Sequence, residues 1–186
     1  MYEFKIGKHK VGVSFSFLAL VSLLTALDSD KKAALIICIL CCIVHECGHL
    51  LAMLMLGVKP QSITFYGGGI LIRRMKGIDS SNFQDIIIYL CGPAANFILS
   101  IIFFTLSRDI CSYSLFCGFF NLLPFSYFDG GRALDAAFPL SKAVGAVRIV
   151  FIVLLAAFTA AVFAGHGVNL SLLVTFLYIA ICELVS

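Results

Sequence analysis

The sequence predicts an all-α polytopic membrane protein of about six transmembrane helices, with a small cytoplasm-side β-hairpin between the second and third. Three observations carry that reading. Hydrophobic residues make up 61% of the 186 positions and charged residues only 12%, a balance far from that of soluble globular domains. The apolar residues fall in long runs separated by short polar turns, with no polar stretch long enough for a separate soluble domain, so a single membrane-embedded domain over 1–186 is expected. One interval breaks the pattern: Gly67, Gly68 and Gly69 separate Ile63, Phe65 and Tyr66 from Ile70, Leu71 and Ile72, as a turn between two short strands would.

Taken in order, residues 1–10 carry cations ahead of an apolar run but lack a small-residue cleavage signal near Asp28, so they read as the lead into a retained first span, 11–27. A polar turn, 28–32, precedes the second span, 33–56. Gly57 and Pro60 stop it. The hairpin follows over 61–74, although Arg73, Arg74 and Lys76 would also suit an amphipathic connector lying on the membrane. The third span, 85–106, contains Gly92-Pro93-Ala94-Ala95-Asn96. Neighbouring helices can satisfy a carbonyl freed by proline, and small residues allow helices to approach closely. The fourth element, 111–123, is too short for a straight crossing and breaks at Pro124. Two further spans, 142–164 and 168–185, are read as carrying little chemistry. With Met1 in the cytoplasm, only Lys31, Lys32 and Arg108 of the thirteen cations fall on the far side, which sets both termini, the hairpin and access to residue 129 on the cytoplasmic side.

The net charge of +3 is small and its cations lie scattered in short loops, so no nucleic-acid partner is implied. Eight cysteines would suggest a disulfide framework in a short secreted chain. Here Cys38, Cys41, Cys42, Cys47, Cys91 and Cys182 lie in expected spans and read as reduced, small apolar residues.

The chemistry is concentrated in the second span, at His45-Glu46-Cys47-Gly48-His49. Residues four apart on a helix share a face, so two imidazoles can meet one metal ion with Glu46 beside them. Ionisable groups at membrane depth are costly and mark functional sites. A catalytic zinc takes three protein ligands and keeps a position for water, so one ligand is missing from this motif. Asp129 is a candidate, although it would equally serve as the N-cap of a new helix after Pro124. Asp79, Asp85, Asp135, His9 and His166 lie nearer polar segments or the connections, and Cys41 and Cys42 offer competing thiolates one turn before His45. Asn96, an amide at depth, needs a partner and could bind a substrate backbone or a reaction oxyanion.

Three motifs therefore follow one another: H-E-x-x-H at 45–49, G-P-x-x-N at 92–96, and N-x-x-P-x-x-x-x-D-G-G at 121–131. Together they resemble the site-2 protease family of intramembrane zinc metalloproteases, over about 35–135. Phe128 stands where the family usually has leucine. The resemblance implies a core at 33–137 in which His45, His49 and Asp129 hold one zinc ion, Glu46 is the general base and acid, and Asn96 and Asn121 help place the substrate. The same donors also accept iron or cobalt. The substrate would be a membrane-associated protein whose span unwinds locally, and the edge around Gly67, Gly68 and Gly69 would receive it as an added strand. The short link after the zinc helix and the absence of a PDZ insertion resemble the sporulation branch, which processes a pro-sigma factor in the forespore membrane. Many members of that branch carry a nucleotide-responsive CBS domain; none is expected here, so any regulators would be membrane proteins acting in trans.

The alternative from another class is a metal-ion transporter or ion-binding membrane protein using the same His and Asp side chains. It has no need of a general base. On the protease reading, deleting residues 65–71 is expected to impair cleavage of a membrane substrate while zinc content is unchanged; full activity in the deletion variant would exclude strand addition at that edge.

Overall fold

The computed structural model describes residues 2–6, 9–13, 29–58, 60–66, 69–74, 81–166 and 170–185. In chain order the elements are β1 (Tyr2–Ile6), β2 (His9–Val13), α1 (Ser29–Met55), β3 (Pro60–Tyr66), β4 (Gly69–Arg74), α2 (Asn82–Phe103), α3 (Arg108–Asn121), α4 (Asp129–Ala137), α5 (Lys142–His166) and α6 (Leu170–Val185). The strands form one sheet in the order β1-β2-β3-β4. β1 and β2 pair antiparallel, β2 runs parallel to β3 with Val11 opposite Ile63, and β3 pairs antiparallel with β4, Ile63 facing Ile72 and Tyr66 facing Gly69.

Residues ahead of the expected first span and at its start form the two strands β1 and β2. Tyr2, Phe4 and Ile6 alternate with Glu3 and Lys5, a period of two that marks a strand. Of the expected first span, 11–13 end β2 and 14–27 lie outside the described residues. The described helices do not support the full count of six crossings. Among the described residues three helical segments are long and apolar enough to cross a membrane: Lys32–Met55, Asn82–Phe103 and Lys142–Gly165. At 1.5 Å per residue, α3 is only about 21 Å long and α6 about 24 Å, short of a hydrocarbon core of about 30 Å.

Local sequence explains the helix ends. Ser81 caps α2 with a full capping box: its hydroxyl accepts from the Gln84 N–H while the Gln84 side chain accepts from the Ser81 N–H. Ser107 caps α3, accepting from the Ile110 N–H. At the end of α1, Gly57 takes φ 71°, and the Val58 and Gly57 N–H groups return to Met53 O at 2.8 Å and Leu54 O at 3.2 Å. This is a Schellman ending, which a residue with a Cβ would strain. It folds Val58 back into a small core with Ala52, Met53 and Ile88.

Core packing joins α1 to α2, α2 to α3, and α4 to α2. Outside these contacts the helices are apolar on their surfaces: Leu51, Leu54, Ile98, Ile101, Ile149 and Val153 are all exposed. So large an uncovered apolar surface suits lipid rather than water. The α1–α2 contact depends on Gly48, where a Cβ would lie 2.4 Å from the Cys91 carbonyl oxygen and 2.9 Å from the Ala95 Cβ. A Gly48→Ala variant is therefore expected to lose about 1–3 kcal/mol of stability, read as a lowered melting temperature in detergent. The control is Gly145→Ala, whose Cβ meets nothing within 4 Å; equal melting of the two variants would contradict this packing.

Candidate metal centre

The site is built from two helices and one loop. His45 and His49 lie one turn apart on α1, and Asp129 opens α4 after the irregular segment that begins where α3 ends. All three are buried, with exposures of 5%, 8% and 7%. His45 Nε2 lies 2.8 Å from Asp129 Oδ2, His49 Nε2 lies 3.1 Å from the same oxygen, and the two Nε2 atoms are 3.1 Å apart. The imidazole rings stand nearly perpendicular, at 87°. Glu46, adjacent to His45 in the chain, is half-buried.

Asp129 does not cap its helix. The N-cap is Phe128, in extended backbone and without a side-chain cap bond, and Asp129 is the first helical residue with its carboxylate turned to the histidines. Two glycines bring it there. A Cβ on Gly130 would fall 2.1 Å from the Leu122 carbonyl oxygen and one on Gly131 would fall 1.9 Å from that of Phe125. The chain can fold back on itself this tightly only without side chains at those positions.

α2 forms the back wall of the site. His49 Nδ1 donates to the Ile88 carbonyl at 2.7 Å; since a carbonyl only accepts, Nδ1 carries a proton, and in the neutral form of the ring the lone pair is at Nε2. One turn further along, Gly92 leaves the space in which the rings meet. A Cβ there would lie 2.4 Å from both His49 Nε2 and Cε1 and 2.8 Å from His45 Nε2. A further turn along stands Asn96, fully buried, with Nδ2 3.1 Å from His45 Nδ1.

Two imidazole nitrogens and one carboxylate oxygen, mutually within 4.8 Å, form the N,N,O donor set that suits catalytic zinc. Among the described residues neither Cys41 nor Cys42 joins this group. The seven described cysteines are free thiols.

Of the other expected site residues, Asn96 lies on α2 and Asn121 ends α3. Asn96 is fully buried beside His45. Asn121 turns back on its own helix, donating to Cys117 O at 3.0 Å. Gly67 and Gly68 lie outside the described residues, and Gly69 opens β4.

α5 and α6 carry more chemistry than their apolar sequence suggests. Arg148 donates from Nε to Pro124 O at 3.0 Å, and a terminal nitrogen reaches Gly131 O at 3.4 Å and both Asp135 carboxylate oxygens at 2.8 Å. Glu183 accepts from the Ser126 N–H and O–H, each at 2.9 Å, and lies 3.4 Å from Arg148 Nε. Together they grip the loop that delivers Asp129. The signal was present in the sequence: each is an ionisable residue inside an apolar run.

The family model for Peptidase family M50 matches residues 33–109, a segment that includes His45, Glu46, His49 and Asn96 and ends before Asp129. A solved structure, the site-2 protease from Methanocaldococcus jannaschii, superposes with a TM-score of 0.66 at 21% identity, covering 98% of this chain and 94% of that one. At that identity the likeness speaks for a shared fold. A search of curated proteins matches nothing. The match to a peptidase family model supports a metalloprotease. With the three apolar helices, it also supports an integral membrane protein.

If Gly92 is the hollow that holds the imidazoles, Gly92→Ala is expected to abolish metal binding while the helices remain folded. Metal content and circular dichroism of the purified variant check this together; full metal occupancy in Gly92→Ala would contradict it.

Proposed function

We propose that the chain is an intramembrane zinc metalloprotease of the site-2 type, a single membrane-embedded domain that hydrolyses a peptide bond in or near the membrane segment of a regulatory protein. The observation that carries the proposal is the meeting of His45, His49 and Asp129, buried at the junction of helices apolar enough to cross a membrane, with Glu46 on the same turn as His45. The match to a peptidase family over the helix that carries both histidines supports it.

On this reading His45 and His49 offer their Nε2 atoms and Asp129 its Oδ2 to the ion. When bound, zinc supplies Lewis acidity that makes water nucleophilic near neutral pH. Glu46 takes the proton from the attacking water and returns it to the leaving amine. The apolar helices keep bulk water from the site and let the substrate enter from the lipid. Because a peptide bond within a helix is sterically shielded, the substrate must unwind, and the antiparallel pair of β3 and β4 offers a sheet edge for it to join. β4 lies against α1, the helix that carries Glu46, which suits such an approach.

The distribution of cations supports an orientation with both termini and the access route on the cytoplasmic side of a bacterial membrane. The sporulation branch, with a membrane-tethered pro-sigma factor as substrate, is the assignment favoured by the short link between α1 and α2. Regulators would then act in trans from within the bilayer.

Glu46→Gln decides between hydrolysis and transport. The variant keeps the three ligands and loses the proton acceptor, so it is expected to bind zinc with wild-type stoichiometry and to cleave co-expressed membrane-tethered factors at least about 100-fold more slowly. Product size on gels is the measurement. Persistent cleavage by the variant would overturn the mechanism.

A further inference from the structure

The G-P-x-x-N motif of α2 is not used by the hydrolytic scheme, yet it touches both histidines. Ile88, Gly92 and Asn96 recur every four residues and so share one face of α2. That face meets His49 through a carbonyl, leaves room for both rings at Gly92, and meets His45 through an amide. Asn96 is itself anchored, since its backbone carbonyl accepts from the Ser114 hydroxyl at 2.8 Å and both residues are fully buried.

The hydrogen-bond logic of this amide is specific. Asn96 Oδ1 is buried without a hydrogen-bond partner among the described residues, while the other end of the amide lies 3.1 Å from His45 Nδ1. If the amide nitrogen faced Nδ1, it would donate to a lone pair there and place the proton of the neutral ring on Nε2, the atom aimed at Asp129 and His49. His45 could not then offer a lone pair to a metal. Rotating the amide by half a turn exchanges its oxygen and nitrogen in the same space. The oxygen then accepts from Nδ1–H, gains the partner it lacked, and leaves Nε2 unprotonated, as the Ile88 carbonyl already does for His49.

We infer that Asn96 is a positioning residue of the metal centre, its side-chain oxygen accepting from His45 Nδ1–H and holding the ring in the tautomer that ligates, and that it is not a substrate-binding residue. α2 thereby supplies the outer hydrogen-bond partner of both histidines, one from the backbone and one from a side chain. Partners of this kind orient ligating imidazoles and raise their basicity.

The inference rests on the zinc-ligand reading, and the test separates the two. Zinc dissociation constants are measured by chelator competition on the full chain purified in detergent, for wild type, Asn96→Leu and Asn96→Asp, with folding followed by thermal melting. Aspartate keeps the shape of asparagine but only accepts. Asn96→Leu is expected to weaken zinc binding by about 10- to 100-fold, and Asn96→Asp to bind within about threefold of wild type or more tightly. If Asn96→Asp weakens binding as much as Asn96→Leu, the amide nitrogen is the working group and the inference falls. If Asn96→Leu binds as wild type does, Asn96 positions nothing and the inference also falls. Should Asn96→Leu fail to fold, the comparison of wild type with Asn96→Asp decides alone, retention supporting the inference and loss overturning it. A wild-type chain that binds no zinc would instead remove the ligand reading itself.

Discussion

A carboxylate and two imidazoles are buried against one another among helices whose other faces are apolar, and much of the described helical packing follows from making that cluster tolerable. Burying an unpaired charge in such surroundings costs several kcal/mol or more. Each imidazole has an outer hydrogen-bond partner, while the carboxylate and the two Nε2 atoms converge as donors toward one point. Asp129 faces both histidines, His49 is tied to the Ile88 carbonyl, and His45 is tied to Asn96. A divalent cation at the centre would complete the compensation with the donor types it prefers.

Close approach is the second requirement, and glycine meets it repeatedly. Gly48 lets α1 lie against the backbone of α2, Gly92 leaves the volume occupied by the imidazoles, and Gly130 and Gly131 let the loop after α3 turn Asp129 inward. Each position has heavy atoms where a Cβ would stand. The small-residue motifs of this chain are thus contacts between elements far apart in sequence, rather than flexible points.

The Arg148 and Glu183 pair adds a third layer. Both reach the loop between α3 and α4 from helices that otherwise present apolar side chains, and they satisfy backbone groups left without helical partners near Pro124 and Ser126. A loop held this way can present Asp129 in a fixed position, although the loop has no regular secondary structure of its own. Positional precision of this kind is what a metal site requires of its supporting residues.

Several features were legible in the sequence because they are local. The i, i+4 spacing of His45 and His49 fixes a shared helix face, Gly57 stops α1, and the hydropathy of the runs identifies helices suited to lipid. The motif order made Asp129 a candidate ligand. Other features were open until distant segments met. A capping role for Asp129 was as compatible with its sequence position as a facing carboxylate, and only the contact with α1 decides between them. The amide of Asn96 needed a partner at depth, but whether that partner was a substrate or His45 depends on how α2 is rotated against α1. Likewise Arg148 and Glu183 read as exceptions in apolar helices until the loop was seen between them. The sequence by itself determined which residues have the chemistry to bind a metal and move a proton, because composition and helical periodicity are properties of a single segment. Tertiary structure alone decided which of them face one another and which stand behind, because those relations depend on packing between segments up to 84 residues apart.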